Sequence, residues 1–230
     1  MIHNIKELFG NKLASLDGDI GHVKDFYFDD KAWVIRYLVA DTGSWLTGQM
    51  VLLTPHSFGR VDAATKTLHV QLTRKQIEKS PSIESHKPVS RQYEIEYYSY
   101  YGWPAYWEGG ALWGLGGYPV VPQLTKVENA MHAPPHHKDD KHLRSLKAMI
   151  GYRLHTTDGE IGEVSGLRVD MKSWSIRDLV VDTGHWYSGK EILISPDNIE
   201  RISYEESAVF VNLSKADIEQ TPANEPAGVT

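Results

Sequence analysis

Alternation of apolar and polar residues with a period of two organises much of this chain. In Leu68–Leu72 the apolar residues alternate with His69 and Gln71, which predicts a β-strand with one face in water. Other short runs are rich in β-branched and aromatic residues, as half-buried strands usually are. These runs predict four further strands, at Lys12–Leu16, Gly21–Phe28, Trp33–Ala40 and Met50–Thr54.

Turn and helix-capping residues separate the predicted strands. Asp17-Gly18 is a strong hairpin-turn signal between the first two of them. A helical turn over Ile5–Phe9 ends at Gly10, a residue that suits a left-handed C-terminal cap. Thr73 followed by Gln76 predicts a capping box at the start of a short helix. The pattern as a whole therefore predicts strands with short flanking helices.

The whole pattern occurs twice. Leu13–Pro81 aligns with Leu154–Pro222 at a constant offset of 141 residues, without a gap, and 26 of the 69 aligned pairs are identical. The shared motifs are Asp-Gly-x-Ile-Gly, Trp-x-Ile-Arg-x-Leu-Val and Asp-Thr-Gly, which begin at Asp17, Trp33 and Asp41 in the first copy. Because no strand or turn has changed length, the two copies are predicted to share one fold.

The duplication predicts four parts: a first barrel over residues 1–81, a linker over 82–145, a second barrel over 146–222 and a disordered tail over 223–230. Five or six short strands in roughly 70 residues are too few for a large two-sheet sandwich. Closure into a small barrel removes exposed strand edges and surrounds one core. The predicted fold class is all-β, with two small barrels in tandem, short flanking helices and an aromatic-rich linker.

Charge and composition exclude several classes of partner. The formal net charge of −6 disfavours nucleic acid and anionic lipid, which both attract basic surfaces. The chain has no cysteine, so it forms no disulfide or thiolate metal site, and this fits a reducing cytoplasm. Neither a signal peptide nor a run of about 20 apolar residues is found. We therefore expect a cytoplasmic protein without a membrane span and without a cofactor.

Three motifs together resemble the PRC-barrel family. They are Asp-Gly-(Asp/Glu)-Ile-Gly-x-Val from Asp17 and Asp158, Trp-x-Ile-Arg-x-Leu-Val from Trp33 and Trp174, and the Leu/Ile run ending at Pro55 or Pro196. The family is named after the cytoplasmic domain of the photosynthetic reaction-centre H subunit and includes the C-terminal domain of the ribosome maturation factor RimM. The resemblance covers both copies, about two thirds of the chain.

This resemblance implies a small β-barrel, no catalytic residues and a role in docking onto protein complexes. We expect neither the membrane-spanning segment of the H subunit nor the N-terminal domain of the ribosome factor, so neither partner is transferred to this chain. The chain looks more like stand-alone members with two barrels. The predicted function is a non-enzymatic protein-interaction or scaffold module, and the sequence does not name its protein partner.

The two Asp-Thr-Gly motifs, at Asp41 and Asp182, raise a second hypothesis. Aspartic peptidases place two such loops face to face, so that two carboxylates share one proton. Against this, Pro81 follows Gly43 by 38 residues, which is short for a peptidase lobe. The structural interpretation is a turn in which the Asp carboxylate accepts hydrogen bonds from backbone N–H groups and the Gly adopts a positive φ. An aspartic-peptidase-like hydrolase is therefore the alternative function.

Four residues that recur in both copies are candidate interaction residues. Arg36 and Arg177 are predicted to form charge pairs with Asp29 and Asp170, or to anchor a partner as arginine often does. Trp45 and Trp186 lie in predicted loops, where a large aromatic ring either binds another protein or folds back over its own barrel.

The linker is the most aromatic part of the chain. Tyr93–Tyr118 contains ten Tyr or Trp residues and six Gly in 26 positions, including the candidate interaction residues Tyr101, Trp103, Trp107 and Trp113. So much ring surface is costly to leave in water. It is predicted either to pack on the barrels or to bind another chain, which allows a homodimer that exchanges its linkers.

A histidine-rich stretch in the linker is a weak metal candidate. His132, His136, His137 and His142 lie beside Asp139 and Asp140. Their spacing matches no established zinc pattern, and the flanking proline and charged residues favour a solvated linker. We therefore predict no metal site.

Overall fold

The structure, a computed structural model, describes residues 1–81, 89, 91–120, 143–184 and 189–219. The chain divides into two compact units. The first-repeat unit comprises Leu8–Arg144 and Lys172–Trp174, and the second-repeat unit comprises Met1–Glu7, Ser145–Met171 and Ser175–Thr230. Each unit is therefore built mainly on one of the two copies.

Short strands make up most of the described structure. Strands β1 to β7 are Ile2–Asn4, Lys12–Ser15, Gly18–Asp29, Val34–Asp41, Met50–Leu53, Phe58–Asp62 and Thr67–Val70. Strands β8 to β14 are Leu143–Ser145, Arg153–Thr156, Gly159–Asp170, Ile176–Asp182, Glu191–Ile194, Ile199–Ser203 and Ala208–Val211. Helices α1 to α4 are Arg74–Glu78, Arg91–Tyr101, Leu146–Met149 and Lys215–Glu219. Single 3-10 turns cover Ile5–Leu8, Pro55–Ser57 and Pro196–Asn198.

The two repeats form two seven-stranded sheets with the same strand order. In the first sheet the order is β5-β4-β3-β2-β7-β6, and in the second it is β12-β11-β10-β9-β14-β13. The pairing between β2 and β7, like that between β9 and β14, is parallel, and the other pairings along both paths are antiparallel. The register is also shared, since Leu38 pairs with Leu53 as Leu179 pairs with Ile194. The predicted β-rich fold and its duplication are confirmed.

Two short strands that the alternation pattern missed complete the sheets. Strand β1 pairs with β10, and β8, its counterpart at the offset of 141, pairs with β3. The residues that precede one copy therefore add a strand to the sheet of the other. In the second-repeat unit the N-terminal ammonium group lies 3.5 Å from Asp170. In the first-repeat unit Nε of Arg144 lies 2.8 Å from Oδ2 of Asp30. Three residues carry no detectable period, so sequence pattern cannot find such strands.

The five strands predicted in the first copy are confirmed, with ends that differ by up to three residues. Strand β6 was missed because Gly59 and Arg60 interrupt its apolar residues. In both sheets the path runs between two end strands, and no pairing among the described strands joins those ends. The described residues thus establish two sheets, whereas closure into barrels stays a prediction.

The predicted capping box is confirmed, and the hairpin aspartate reinforces it. Oγ1 of Thr73 accepts the N–H of Gln76 at 3.3 Å, and Oε1 of Gln76 accepts the N–H of Thr73 at 2.9 Å. Oδ1 of Asp17, in the hairpin turn, accepts the N–H of Arg74 at 2.7 Å. In the second-repeat unit Asp158 bonds the N–H of Lys215 in the same way, at 2.9 Å. The recurring Asp-Gly turn therefore also satisfies the N-terminus of the last helix in each copy.

Two of the shared motifs touch each other in the fold. Gly21 of β3 has a φ of +121°, and a Cβ placed on it would lie 1.9 Å from the carbonyl oxygen of Asp41. Gly162 repeats this arrangement, with a Cβ position 2.1 Å from the carbonyl oxygen of Asp182. The Ile-Gly and Asp-Thr-Gly motifs recur together because backbone packs directly on backbone where they meet.

Replacing Gly21 with alanine is expected to destabilise the first-repeat unit by about 3 kcal/mol or more, since the contact is with main chain and has little room to relax. Gly10→Ala is the matched control, because Gly10 has a φ of +74° but nothing within 4 Å of its Cβ position. We expect that variant to lose about 1 kcal/mol. Urea unfolding followed by circular dichroism measures both. Equal losses in the two variants would contradict the close-approach explanation.

Candidate interaction faces

Residues 91–120, which we call the aromatic segment, pack against the strands of the first-repeat unit. The segment begins with α2 and continues through a glycine-rich loop. Its buried rings are those of Tyr97, Tyr98, Trp103, Tyr106 and Trp113. Of the two alternatives drawn from the sequence, packing within the chain is therefore confirmed for these rings.

Hydrogen bonds and ring contacts hold the aromatic segment on β5 and on the turn after it. The hydroxyl of Tyr97 donates to the carbonyl oxygen of Leu52 at 2.8 Å. The ring of His56 stacks on Trp103 at 5.6 Å and meets the ring of Trp113 edge-on at 5.0 Å. Such ring pairs each contribute about 0.5–1.5 kcal/mol beyond their burial.

A buried carboxylate links the aromatic segment to β4. Glu94 of α2 is 0 % exposed, and its Oε1 accepts the hydroxyl of Tyr37 at 3.0 Å and that of Tyr106 at 2.7 Å. A buried charge is costly unless polar groups bond to it. Charge-assisted hydrogen bonds from two tyrosines provide part of that compensation. Glu94 therefore fixes where α2 sits on this face.

Arg36 lies at the centre of the same face. It is 3 % exposed, and Nη2 lies 3.3 Å from Oδ2 of Asp29, which confirms the predicted charge pair. Nη1 donates to the carbonyl oxygen of Leu112. The guanidinium carbon lies 3.8 Å from the ring centroid of Tyr106 and 5.0 Å from that of Trp113. Arg36 thus anchors a segment of its own chain through carbonyl and cation–π contacts.

Burial changes the titration of His56. Removal from water lowers the pKa of His56 from its usual 6.5 to about 4, and the positive charge of Arg36 acts in the same direction. At neutral pH the ring is therefore uncharged. The Thr54 hydroxyl lies 3.3 Å from its Nδ1, so a neutral ring has a hydrogen-bonding neighbour in the buried face.

This titration predicts that the first-repeat unit loses stability between pH 6.5 and 4. In that window the unfolded chain binds a proton at His56 and the folded chain does not, so stability falls as pH falls. The loss approaches roughly 3 kcal/mol at 1.36 kcal/mol per pKa unit. His56→Phe keeps an aromatic ring and is expected to remove most of this slope. Urea unfolding at half-unit pH steps measures it. His22→Gln, on an exposed residue of β3, is the control. An unchanged slope in His56→Phe would assign the acid sensitivity to other groups.

The corresponding face of the second-repeat unit is partly exposed among the described residues. Arg177, the counterpart of Arg36, has 54 % of its side chain exposed while keeping its ion pair to Asp170 at 3.6 Å. Asp178 stands where the first copy has Tyr37, and Asp197 stands where it has His56. Burial raises the pKa of Asp178, although Arg168 and Arg177 counteract this. The same face is therefore covered by aromatic rings in one unit, whereas in the other it carries an exposed arginine, an exposed carboxylate and a half-buried carboxylate.

The remaining candidate residues have varied surroundings. Trp45 is half-buried, with the guanidinium carbon of Arg74 4.8 Å from its ring centroid. Tyr101 stacks on Trp103 at 4.3 Å, and Trp107 meets Tyr98 edge-on at 5.3 Å. A role of these residues in binding a partner stays a prediction. Trp186, the four linker histidines and the tail over 223–230 lie outside the described residues.

Each Asp-Thr-Gly motif forms a local turn. Oδ1 of Asp41 accepts the N–H of Gly43 at 3.0 Å, and the hydroxyl of Thr42 donates to the carbonyl oxygen of Gln49. The Gly43 N–H and the Lys24 ammonium group lower the pKa of Asp41. Asp182 accepts the N–H of Gly184 in the same way, at 2.8 Å. Asp41 belongs to the first-repeat unit and Asp182 to the second. Both motifs form the predicted turn, and the absence of peptidase chemistry stays a prediction.

Sequence reasoning missed Glu94, Tyr37 and His56 as parts of the site. No signal in the repeat marked Tyr37 or His56, because most of the 69 aligned positions differ between the copies and theirs are two of many. Glu94 has no counterpart in the repeat, and its role depends on where α2 packs.

The described residues form a duplicated β-sheet structure in which the same face is covered in one copy and partly exposed in the other. Among the described residues, no group of His, Asp or Glu is arranged to hold a metal ion. No described helix is both long and apolar enough to cross a bilayer. Comparison with family models gives no match for the chain, and no curated protein matches it.

Proposed function

We propose that this chain is a non-enzymatic protein-interaction or scaffold module built from two barrels of the PRC type. The observation that carries the proposal is the face around Arg36, which holds the aromatic segment as a bound stretch of polypeptide. A face that accommodates one chain segment through a charge pair, a carbonyl contact and stacked rings has the chemistry of an interface. In the second-repeat unit Arg177, the counterpart of Arg36, has 54 % of its side chain exposed.

Family membership and barrel closure belong to this proposal. The shared motifs that begin at Asp17 and Trp33 support it, as does the common order of strands in the two sheets. The absence of cysteine is compatible with a reducing compartment, so we place the module in the cytoplasm. Its partner is a protein, either a second copy or another chain.

Affinity capture with the intact chain tests this function. We expect a protein to be recovered from the source cell in amounts comparable to the bait and, once purified, to bind the chain directly in calorimetry. Failure to recover a directly binding protein would contradict the proposal.

The double variant Asp41→Asn/Asp182→Asn separates binding from peptidase chemistry. The amide oxygen of Asn still accepts the Gly43 or Gly184 N–H, so the turns should persist and partner capture should be unchanged. We expect neither the variant nor the parent chain to cleave unfolded casein between pH 3 and 7. Cleavage by the parent chain that disappears in the double variant would establish the hydrolase instead.

A further inference from the structure

The partly exposed face of the second-repeat unit has the same strand pairings as the covered face of the first. Asp178 pairs with Arg168 across β10 and β11, as Tyr37 pairs with Tyr27 across β3 and β4. The following strands keep the same register. The first-copy residues on this face are Arg36, Tyr37, Thr54 and His56. Their counterparts in the second copy are Arg177, Asp178, Ser195 and Asp197.

The first-repeat unit shows what kind of polypeptide segment packs on this face of the sheet. The guanidinium group of Arg36 contacts two aromatic rings and donates a hydrogen bond to a carbonyl oxygen. It also forms an ion pair with Asp29. Arg177 retains the equivalent counter-ion, Asp170, but 54 % of its side chain is exposed. An exposed arginine that already has a counter-ion is well suited to stack on a ring of a partner.

The side chains at two positions of the face differ in charge between the two units. In the first-repeat unit, the hydroxyl group of Tyr37 donates a hydrogen bond to Oε1 of Glu94. In the second-repeat unit Asp178 takes the place of Tyr37, and its Oδ2 lies 3.7 Å from Nε of Arg168. Asp197, which is exposed, takes the place of His56. Carboxylates accept hydrogen bonds and attract cations, so this face would repel an acidic residue placed like Glu94.

We infer that the face formed by Arg177, Asp178, Ser195 and Asp197 binds a partner segment that carries an aromatic ring beside a lysine or arginine. The ring stacks on the Arg177 guanidinium group, and the cation pairs with Asp178 and Asp197. The partial burial of Asp178, which raises its pKa, is compatible with this, because a cation from the partner would stabilise the ionised form. The inference rests on the proposed function and specifies the chemistry of the partner.

Two synthetic peptides test the charge preference against the full-length chain. One has the native sequence of residues 91–120, and the other carries Glu94→Lys; both are labelled for fluorescence anisotropy and checked to be monomeric. We expect the lysine peptide to bind the parent chain about tenfold more tightly than the native peptide, because it replaces a repulsive contact with an attractive one. In the Asp178→Lys variant this preference should be reversed.

Two further variants locate the binding. Arg177→Ala is expected to weaken the lysine peptide about tenfold, whereas Arg153→Ala should leave it unchanged. Arg153 is the matched control because 51 % of its side chain is exposed, close to the 54 % of Arg177. Absence of binding, or a preference that Asp178→Lys does not alter, would overturn the inference. Self-association of the chain that Arg177→Ala abolishes would identify a second copy as the occupant and overturn it as well.

The failure of this inference is distinguishable from failure of the proposed function. If the captured protein binds equally well to the parent chain and to Arg177→Ala, the chain is an interaction module that uses another surface. If no protein binds directly in the capture experiment, the proposed function itself is wrong.

Discussion

Burial of charge beneath the aromatic segment is the constraint on which the first-repeat unit depends. Arg36 and Glu94 are both almost completely removed from water, an arrangement that is unfavourable unless each finds partners. Asp29 and the rings of the aromatic segment surround Arg36, and two tyrosine hydroxyls bond to Glu94. The segment that sequence alone describes as a linker is therefore part of the folded unit.

Duplication of one strand arrangement, followed by changes at individual positions, explains why the two units carry different side chains on the same face of the sheet. Residues that set the backbone geometry are the same in both copies, such as Gly21 and Gly162 at the close approach of β3 and β10 to the Asp-Thr-Gly turns. On the face that the aromatic segment covers, Arg36 is kept as Arg177, whereas the positions of Tyr37 and His56 carry Asp178 and Asp197. These two differences mark where the interactions of the copies diverge.

The Asp-Thr-Gly motif illustrates how far a short motif determines chemistry. The same three residues occur in peptidases, where two such loops share a proton, and in hairpin turns, where the carboxylate accepts a backbone N–H of its own loop. Here Asp41 and Asp182 each accept an N–H two residues ahead, and hydrogen bonding with Lys24 further favours an ionised Asp41. Short motifs identify turn geometry more securely than function, because the turn requires only local contacts.

The amino-acid sequence by itself determined the strands, the hairpin turns, the capping box and the duplication, because alternation and turn preference act over a few neighbouring residues. It also supplied the Arg36–Asp29 charge pair, which both copies retain. Tertiary structure decided the exchange of β1 and β8 between the sheets, the position of Glu94 under Tyr37, and the contrast between a buried Arg36 and an exposed Arg177. These depend on contacts between residues far apart in the chain, and no local pattern of apolar and polar residues encodes which distant segments meet.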